Sequence, residues 1–324
     1  MSVKTKSLKL QDFMLEGILI LIVLYLSFAA KGFASWDNLL NVLRNASTTG
    51  IIAFGMTLVI ISGEIDISVG SAIAFFGCVA AVLVQNLTGI GWPMVPVMIV
   101  AVVTCFVLAI LSGMFTGWIR HRFSVPTFIT TLAWMAALRG GANLVTGSFP
   151  ISPFPEWFFF LGSGYVYGIP FQAIVFLVIF AVAYFLSKYT RFGRAVYAIG
   201  GNAESARLSG INVQGKRMAI MAITSALTVV AALITSAQIQ AGNPTVGAGL
   251  EFTVISACVI GGVSLMGGKG RIWGTFIGVM FLEVLLNGMT LLNMDEYWQY
   301  VAKAGLILGA VLIYQVRDSR QARA

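Results

Sequence analysis

Charge is scarce in this chain. Only 10% of its 324 residues are Asp, Glu, Lys or Arg, and the acidic ones number 12. Water-soluble domains carry about 25% charged and roughly 45–50% apolar residues, whereas 58% of this sequence is hydrophobic. That balance excludes a soluble globule. Histidine occurs once, at His121 between Arg120 and Arg122, where it reads as a solvated residue at the end of an apolar segment. Without a second candidate base no nucleophile–base constellation can be assembled, so the chain offers no catalytic residue and a membrane enzyme loses its ground. The cysteines, Cys78, Cys105 and Cys258, all fall inside apolar runs without metal-site spacing. They read as small packing residues, and no metal ligand is assigned.

A nucleotide-binding loop is lacking as well. Such a loop needs GxxxxGK followed by Ser or Thr. The nearest stretch, GVSLMGGKG from Gly262, places Lys269 one residue too far along and follows it with Gly270. If the chain serves an ATP-driven process, ATP and magnesium belong to a separate polypeptide, and this chain binds no cofactor of its own. Carboxylates inside apolar segments are few, so a gradient-driven transporter has weak support.

What is present is a succession of apolar runs. Windows of about 20 residues, the length that crosses a bilayer, place ten spans near 15–31, 45–62, 68–88, 94–118, 126–146, 169–187, 218–240, 250–264, 271–292 and 298–316. The expectation is an all-α polytopic membrane protein, a single transmembrane domain over 1–324 with a basic loop, 188–217, inside it. The first run follows a positive flank as in a signal peptide. No convincing cleavage site follows it and many further spans do, so it reads as a retained span. With the N-terminus inside, 16 of the 20 Lys and Arg are cytoplasmic: Lys4, Lys6, Lys9, Arg120, Arg122, Lys188, Arg191, Arg194, Arg207, Lys216, Arg217, Lys269, Arg271, Arg317, Arg320 and Arg323. This asymmetry predicts that both termini are cytoplasmic. It also accounts for the net charge of +8 as topology, leaving no support for a nucleic-acid partner. The loop 149–170 has no Lys or Arg and is expected outside, with Trp157, Tyr165 and Tyr167, like Trp92, as interface anchors.

Polar residues within spans face partner helices, water or cargo. Arg139 with Asn143, Glu251, Glu283 with Asn287 one turn on, and Lys303 are of this kind; structural pairing and a translocation role both stay open for them. Glycine-rich breaks add a second group. ISGEIDISVGS, at 61–71, sets Glu64, Asp66, Ser68 and Ser71 at the junction of two spans. Either the carboxylate and hydroxyls cap the following helix, or the break is a hinge or lining of a path, since irregular backbone at membrane depth must be covered by protein or water. GGVSLMGGKG, at 261–270, echoes it and raises a possible internal repeat of the kind common in transporters. Candidate path or hinge residues are therefore Glu64, Asp66, Ser68, Ser71, Arg139, Asn143, Glu251 and Asn287.

The basic loop carries YTRFGRAVYAIGGNAESARLSGINVQGKR at 189–217. Within it NAESARLS, at 202–209, has helix formers between Gly201 and Gly210, with Asn202 as the N-cap. Ala203, Ala206 and Leu208 would form its apolar side, and Glu204 and Arg207 a charged one. Such a helix suits a partner's groove; a solvated tether between spans is the other reading. Gly193 and Arg194, then AIGGN at 198–202, Glu204, Ala206, Arg207 and GINV at 210–213 resemble the cytoplasmic loop of the ribose-type, or monosaccharide, permease subunits of bacterial ABC importers. ISGEIDISVGS and LMGGKGRIWGTFIG, at 265–278, are similar to two further motifs of that family. The resemblance runs over about 38–316 and departs at Glu64, where a glycine is usual. It implies a type II ABC importer permease fold in the bacterial inner membrane and an ATPase coupling loop carried by Gly193, Arg194, Gly200, Asn202, Glu204, Ala206, Arg207 and Gly210. It further implies, besides the membrane lipid, three protein partners: an ABC ATPase subunit, a periplasmic or lipid-tethered substrate-binding protein and a second permease chain, alike or different, with a pentose or hexose as cargo. A related permease for autoinducer-2 or nucleosides is the alternative.

Overall fold

A backbone in lipid has to satisfy its hydrogen bonds within itself, so apolar runs become helices. The computed structural model describes residues 14–295, 297–306, 308 and 309. Its helices are α1 (Met14–Ala29), α2 (Trp36–Ile61), α3 (Val69–Gly89), α4 (Met94–Phe123), α5 (Thr127–Thr146), α6 (Phe160–Ser163), α7 (Phe171–Tyr189), α8 (Arg191–Gly201), α9 (Ala203–Leu208), α10 (Val213–Ile239), α11 (Leu250–Ile260) and α12 (Ile272–Leu291). A two-residue hairpin, β1 (Tyr165–Val166) with β2 (Ile169–Pro170), is the exception to helix.

Six helices, α2, α3, α4, α7, α10 and α12, are long and apolar enough to cross a membrane. The chain is a helical polytopic membrane protein, but among the described residues six segments rather than the expected ten meet that requirement. α1 and α11 are too short, at 16 and 11 residues. α5 has 20 residues but carries Thr127, Thr130, Thr131, Arg139 and Asn143. The tenth expected span is described only in a helical stretch over 297–306 and at 308 and 309. Lys4, Lys6, Lys9, Arg317, Arg320 and Arg323 lie outside the described residues, as does the placement of the termini.

α2 runs through the middle of the bundle, and every residue from Thr49 to Ile61 is buried, as expected of a helix apolar on all sides. Phe54 stacks on Phe176 of α7 at 5.4 Å between centroids, and Phe176 on Phe276 of α12 at 5.6 Å. α4 shows an outer face of exposed Val103, Val107 and Leu111 and packs its other side on α10. The contact runs through Gly113 and Gly117, one small-xxx-small step: a Cβ on Gly113 would lie 2.6 Å from the Met221 carbonyl oxygen, and one on Gly117 2.7 Å from the Met218 Cα.

Arg120, Arg122, Lys188, Lys216 and Arg217 sit where α4 and α7 end and α10 begins, with α8, α9 and the loop 261–271 beside them. This is the basic end of the bundle; the loop 147–170 covers the other. Two irregular segments enter the bundle, one from each end. From the basic end, 62–68 leaves α2 in extended form and climbs along α5: Thr127 and Thr131 hydroxyls accept from the Ile65 and Ile67 amides, at 3.4 and 3.3 Å. From the opposite end, 241–249 starts at the Gly242–Ile151 bridge, passes Gly77 and reaches Gly70, where Gly247 packs backbone to backbone. Arg139 Nη1 donates to the Pro244 and Val246 carbonyls of this segment. Unsatisfied backbone groups at membrane depth cost several kcal/mol each, and the polar residues of α5 meet that demand for both segments.

Gly113→Leu should force α4 off α10. Overpacking of this kind costs about 1–3 kcal/mol, so the detergent-solubilised variant should melt several degrees below wild type, whereas an unchanged melting temperature would show that the contact bears no load.

Candidate functional site

The three sequence motifs, far apart in the chain, meet at the basic end. The amide of Gly268 donates to the carbonyl of Ile61 at 2.8 Å, tying the loop between α11 and α12 to the last residue of α2. Gly200, near the end of α8, packs on this bond. A Cβ there would overlap the Ile61 oxygen and lie 2.5 Å from the Gly268 nitrogen. Gly267 and Gly268 in turn lie against Gly63, Gly200 and Gly201. Tyr197, one turn earlier on α8, donates its hydroxyl to the Gly270 carbonyl at 2.9 Å, and burial pushes its phenol above the ordinary value, so it stays a donor. Backbone meets backbone here because no side chain intervenes.

α8 was not foreseen as a helix. Thr190 caps it by accepting from the Gly193 amide at 3.1 Å, and Gly193, with Ser187 backbone against its Cα, allows the corner from α7. Its buried face holds Ala195, Val196 and Ile199; Arg194 points to solvent. α9 follows at once, with Asn202 Oδ1 accepting from the Ser205 amide at 2.9 Å as its sequence suggests. Gly210, at φ +82°, lets the chain leave α9 through a left-handed residue. Ala206 is the buried side of α9. Leu208, placed with Ala203 and Ala206 on the apolar side of α9, is 73% exposed and open to a partner's groove. Glu204 and Arg207 are solvent-facing and pair with each other at 2.6 Å. The Arg207 hydrogen bonds hold the Glu204 carboxyl below its ordinary range and raise Arg207 above its own, so the pair is ionised at any physiological pH.

Glu64 organises the entry to the first irregular segment. Its side chain is 4% exposed; Oε1 accepts from Arg120 Nε at 3.0 Å, and Oε2 accepts from Thr127 Oγ1 at 2.7 Å. Arg217 Nε lies 3.0 Å from the same Oε1, an ionic contact without hydrogen-bond geometry. One carboxylate thus joins the break after α2 to α4, α5 and the first turns of α10. Asp66 folds back on Ser68, accepting from its amide and hydroxyl at 2.9 and 2.6 Å, while Ser68 itself makes no side-chain cap to α3. Ser71 is buried in the first turn of α3. Glu251 sets its carboxylate against Gly70 in that same turn, within electrostatic reach of Arg139. Asn143 bonds the Arg139 carbonyl at 2.9 Å, and Asn287 exchanges amide bonds with Asn38 at 2.9 and 2.8 Å.

Where the segment 241–249 packs on the first turn of α3 it also borders a polar cleft. One part, about 350 Å³, is lined by Arg44, Asn45, Thr48, Thr49, Gln238, Thr253, Glu283 and Lys303 among others. A second part of about 500 Å³ continues it past Thr253, Ser256, Tyr300 and Lys303. Both include Gly247 and Leu250, so the second irregular segment and the first turn of α11 form one wall. Such volumes suit a small molecule. Thr49 Oγ1 donates to Glu283 at 3.3 Å, and Arg44 bonds the Tyr165 hydroxyl of the hairpin above. None of the eight residues named from sequence as path or hinge lines this cleft; Asp66 and Ser68 line a separate cavity with Thr116, Trp134 and Thr228, and Arg139 supports the wall segment 241–249. Asn45, Thr48 and Thr49 escaped notice, although their i, i+3, i+4 spacing marks a polar stripe on an apolar helix.

Known proteins supply an independent line. Residues 38–313 match the family model described as "Branched-chain amino acid transport system / permease component". The chain is 38% identical to the ribose import permease protein RbsC of Haemophilus influenzae, covering 95% of this chain and 96% of that one. It is 40% identical to the probable ABC transporter permease protein YphD of Escherichia coli, over 98% and 96% of the two chains, and 35% identical to the xylose transport system permease protein XylH of Haemophilus influenzae, over 96% and 97%. No solved structure gives a significant match.

Removing one partner of a buried ion pair costs about 3–5 kcal/mol. Glu64→Gln should therefore lower the melting temperature of the purified protein, and adding Arg217→Gln should restore part of it because the uncompensated cation is gone. Equal melting of wild type and Glu64→Gln would mean that the triad holds nothing.

Proposed function

The chain belongs to the transport-permease family whose members include ribose and xylose import permeases, and on that premise we propose that it is the membrane subunit of an ABC importer that passes a monosaccharide. The carrying observation is the polar cleft walled by the irregular segment 241–249 and the first turn of α11. Its hydroxyl and amide side chains, Asn45, Thr48, Thr49, Gln238 and Thr253, give both donors and acceptors, which a polyhydroxylated ring needs. The family description speaks of amino acids, but relatives matching nearly the whole chain are named for ribose and xylose, and the sugar reading follows them.

In this reading the chain makes and breaks no bond. ATP and magnesium act on a separate ATPase subunit that receives α9, and a binding protein delivers cargo at the opposite end, over the hairpin. A second permease chain completes the path, and the short helices α1 and α11 and the stretch from 297 count with α5 and the six long helices toward ten membrane segments. Entry of one irregular segment from each end is in keeping with inverted halves. The basic end faces the cytoplasm by the positive-inside rule. An impermeant thiol reagent that reached Tyr167→Cys only from the cytoplasmic side would reverse this orientation.

ATP at the basic end then acts on the cleft through short steps. α9 moves with α8; Gly200 carries α8 against the Ile61–Gly268 bond; the extended segment 62–68 passes the displacement to the first turn of α3. There Gly70 abuts Glu251 and Gly247, the latter in the cleft wall.

The test is reconstitution with the ATPase and binding protein in liposomes. Uptake of labelled ribose or xylose should require ATP. Thr49→Val with Gln238→Leu should cut it roughly five- to tenfold, on the order of one hydrogen bond, while the ATPase still co-purifies. Uptake driven by an ion gradient without ATP would overturn the proposal.

A further inference from the structure

Large apolar side chains on this protein are exposed for two reasons. Those on helix flanks, such as Val103 and Leu111 of α4, suit lipid. Met266 does not fit that explanation. It is 74% exposed at the tip of an irregular turn, 264–269, at the basic end, and irregular backbone is not presented to hydrocarbon. Lys269 and Arg271 follow it closely in sequence and belong at a wet surface.

The turn is also stiff. The Ser264 amide donates to the Lys269 carbonyl at 3.0 Å, the Gly267 amide to the Ser264 carbonyl at 3.0 Å, and the Met266 amide to Ser264 Oγ at 3.2 Å. Gly268, two residues beyond the tip, packs on Gly200 and Gly201, immediately before the cap of α9. Met266 is thereby held in one frame with α9, whose own exposed apolar residue is Leu208. A methionine adapts its shape to a partner's surface.

We propose that the turn 264–269 is a second docking element for the ATPase subunit, with Met266 inserted beside α9 as an apolar knob within a basic rim. This rests on the reading of α9 as the ATPase contact. The rim, drawn from Arg191, Arg194, Lys269 and Arg271, calls for an acidic border on the ATPase around an apolar pocket. The two elements, fixed to each other through Gly200 and Gly268, would let a rotation of the ATPase twist the glycine junction rather than pull on one helix.

Cysteine protection tests this directly, because Cys78, Cys105 and Cys258 are buried and give little background. Met266→Cys and Leu208→Cys permeases are placed in inside-out vesicles and treated with an impermeant maleimide, with and without bound ATPase subunit. Both positions should label readily alone and at least tenfold more slowly with the ATPase. Met266→Glu should also reduce ATPase co-purification at least fivefold at unchanged permease yield. Protection of Leu208→Cys without protection of Met266→Cys would overturn the inference and leave the α9 reading standing. Failure of Met266→Cys to label even without ATPase would overturn it in favour of contact with lipid or a second permease copy. Protection at neither position would sink both readings.

Discussion

The bond from the Gly268 amide to the Ile61 carbonyl is short, 2.8 Å, and it decides how the rest of the molecule can work. It joins the end of the most buried helix to a loop more than 200 residues later, and α8 lies on it through Gly200. Any side chain at Gly200 would push these backbones apart. Packed interiors respond to such displacement by switching between arrangements rather than by stretching. On the proposed reading, a displacement of α8 and α9 bears on the end of α2 and the start of α12 through backbone contacts rather than flexible side chains.

A second constraint follows from the solvent. Leaving α2 at the basic end and starting α3 inside the bundle exposes backbone that lipid cannot satisfy. The protein answers with α5, whose Thr127 and Thr131 serve the segment 62–68 and whose Arg139 serves 241–249. α5 is consequently too polar to rank with the six long apolar helices, and through Arg139 it supports the irregular segment 241–249 that walls the cleft. Glu64 secures the first segment from below through Arg120, Arg217 and Thr127. The polar residues inside this bundle thus serve its backbone first, and the cleft has its own polar set on α2, α10, α11 and α12.

Much of the frame was legible in the sequence, because spans and caps are local signals. The apolar runs fall on helices, and α9 has the cap and the glycine exit that its residues specify. What stayed hidden was tertiary. Arg120 and Arg217 counted only as topology charges, with nothing in the chain to say that they share Glu64. The echo of 61–71 in 261–270 drew attention to two breaks that prove to touch, yet the partner that enters the bundle as 62–68 does is 241–249, which passes for an ordinary Gly- and Pro-containing loop. Gly113 and Gly117 looked like two more glycines in a glycine-rich chain. The neutral stripe Asn45, Thr48 and Thr49 is masked in a hydropathy average by the apolar residues around it.

The central claim is that the glycine junction transmits work from the basic end to the cleft. Its most direct measurement is substrate-stimulated ATP hydrolysis by the reconstituted complex carrying Gly200→Ala, scored beside the amount of ATPase subunit bound. The account predicts normal assembly and basal hydrolysis, with stimulation and uptake lost together, because the added Cβ separates Ile61 from Gly268 while leaving α9 exposed. Full stimulation and uptake by a correctly assembled Gly200→Ala transporter would contradict it.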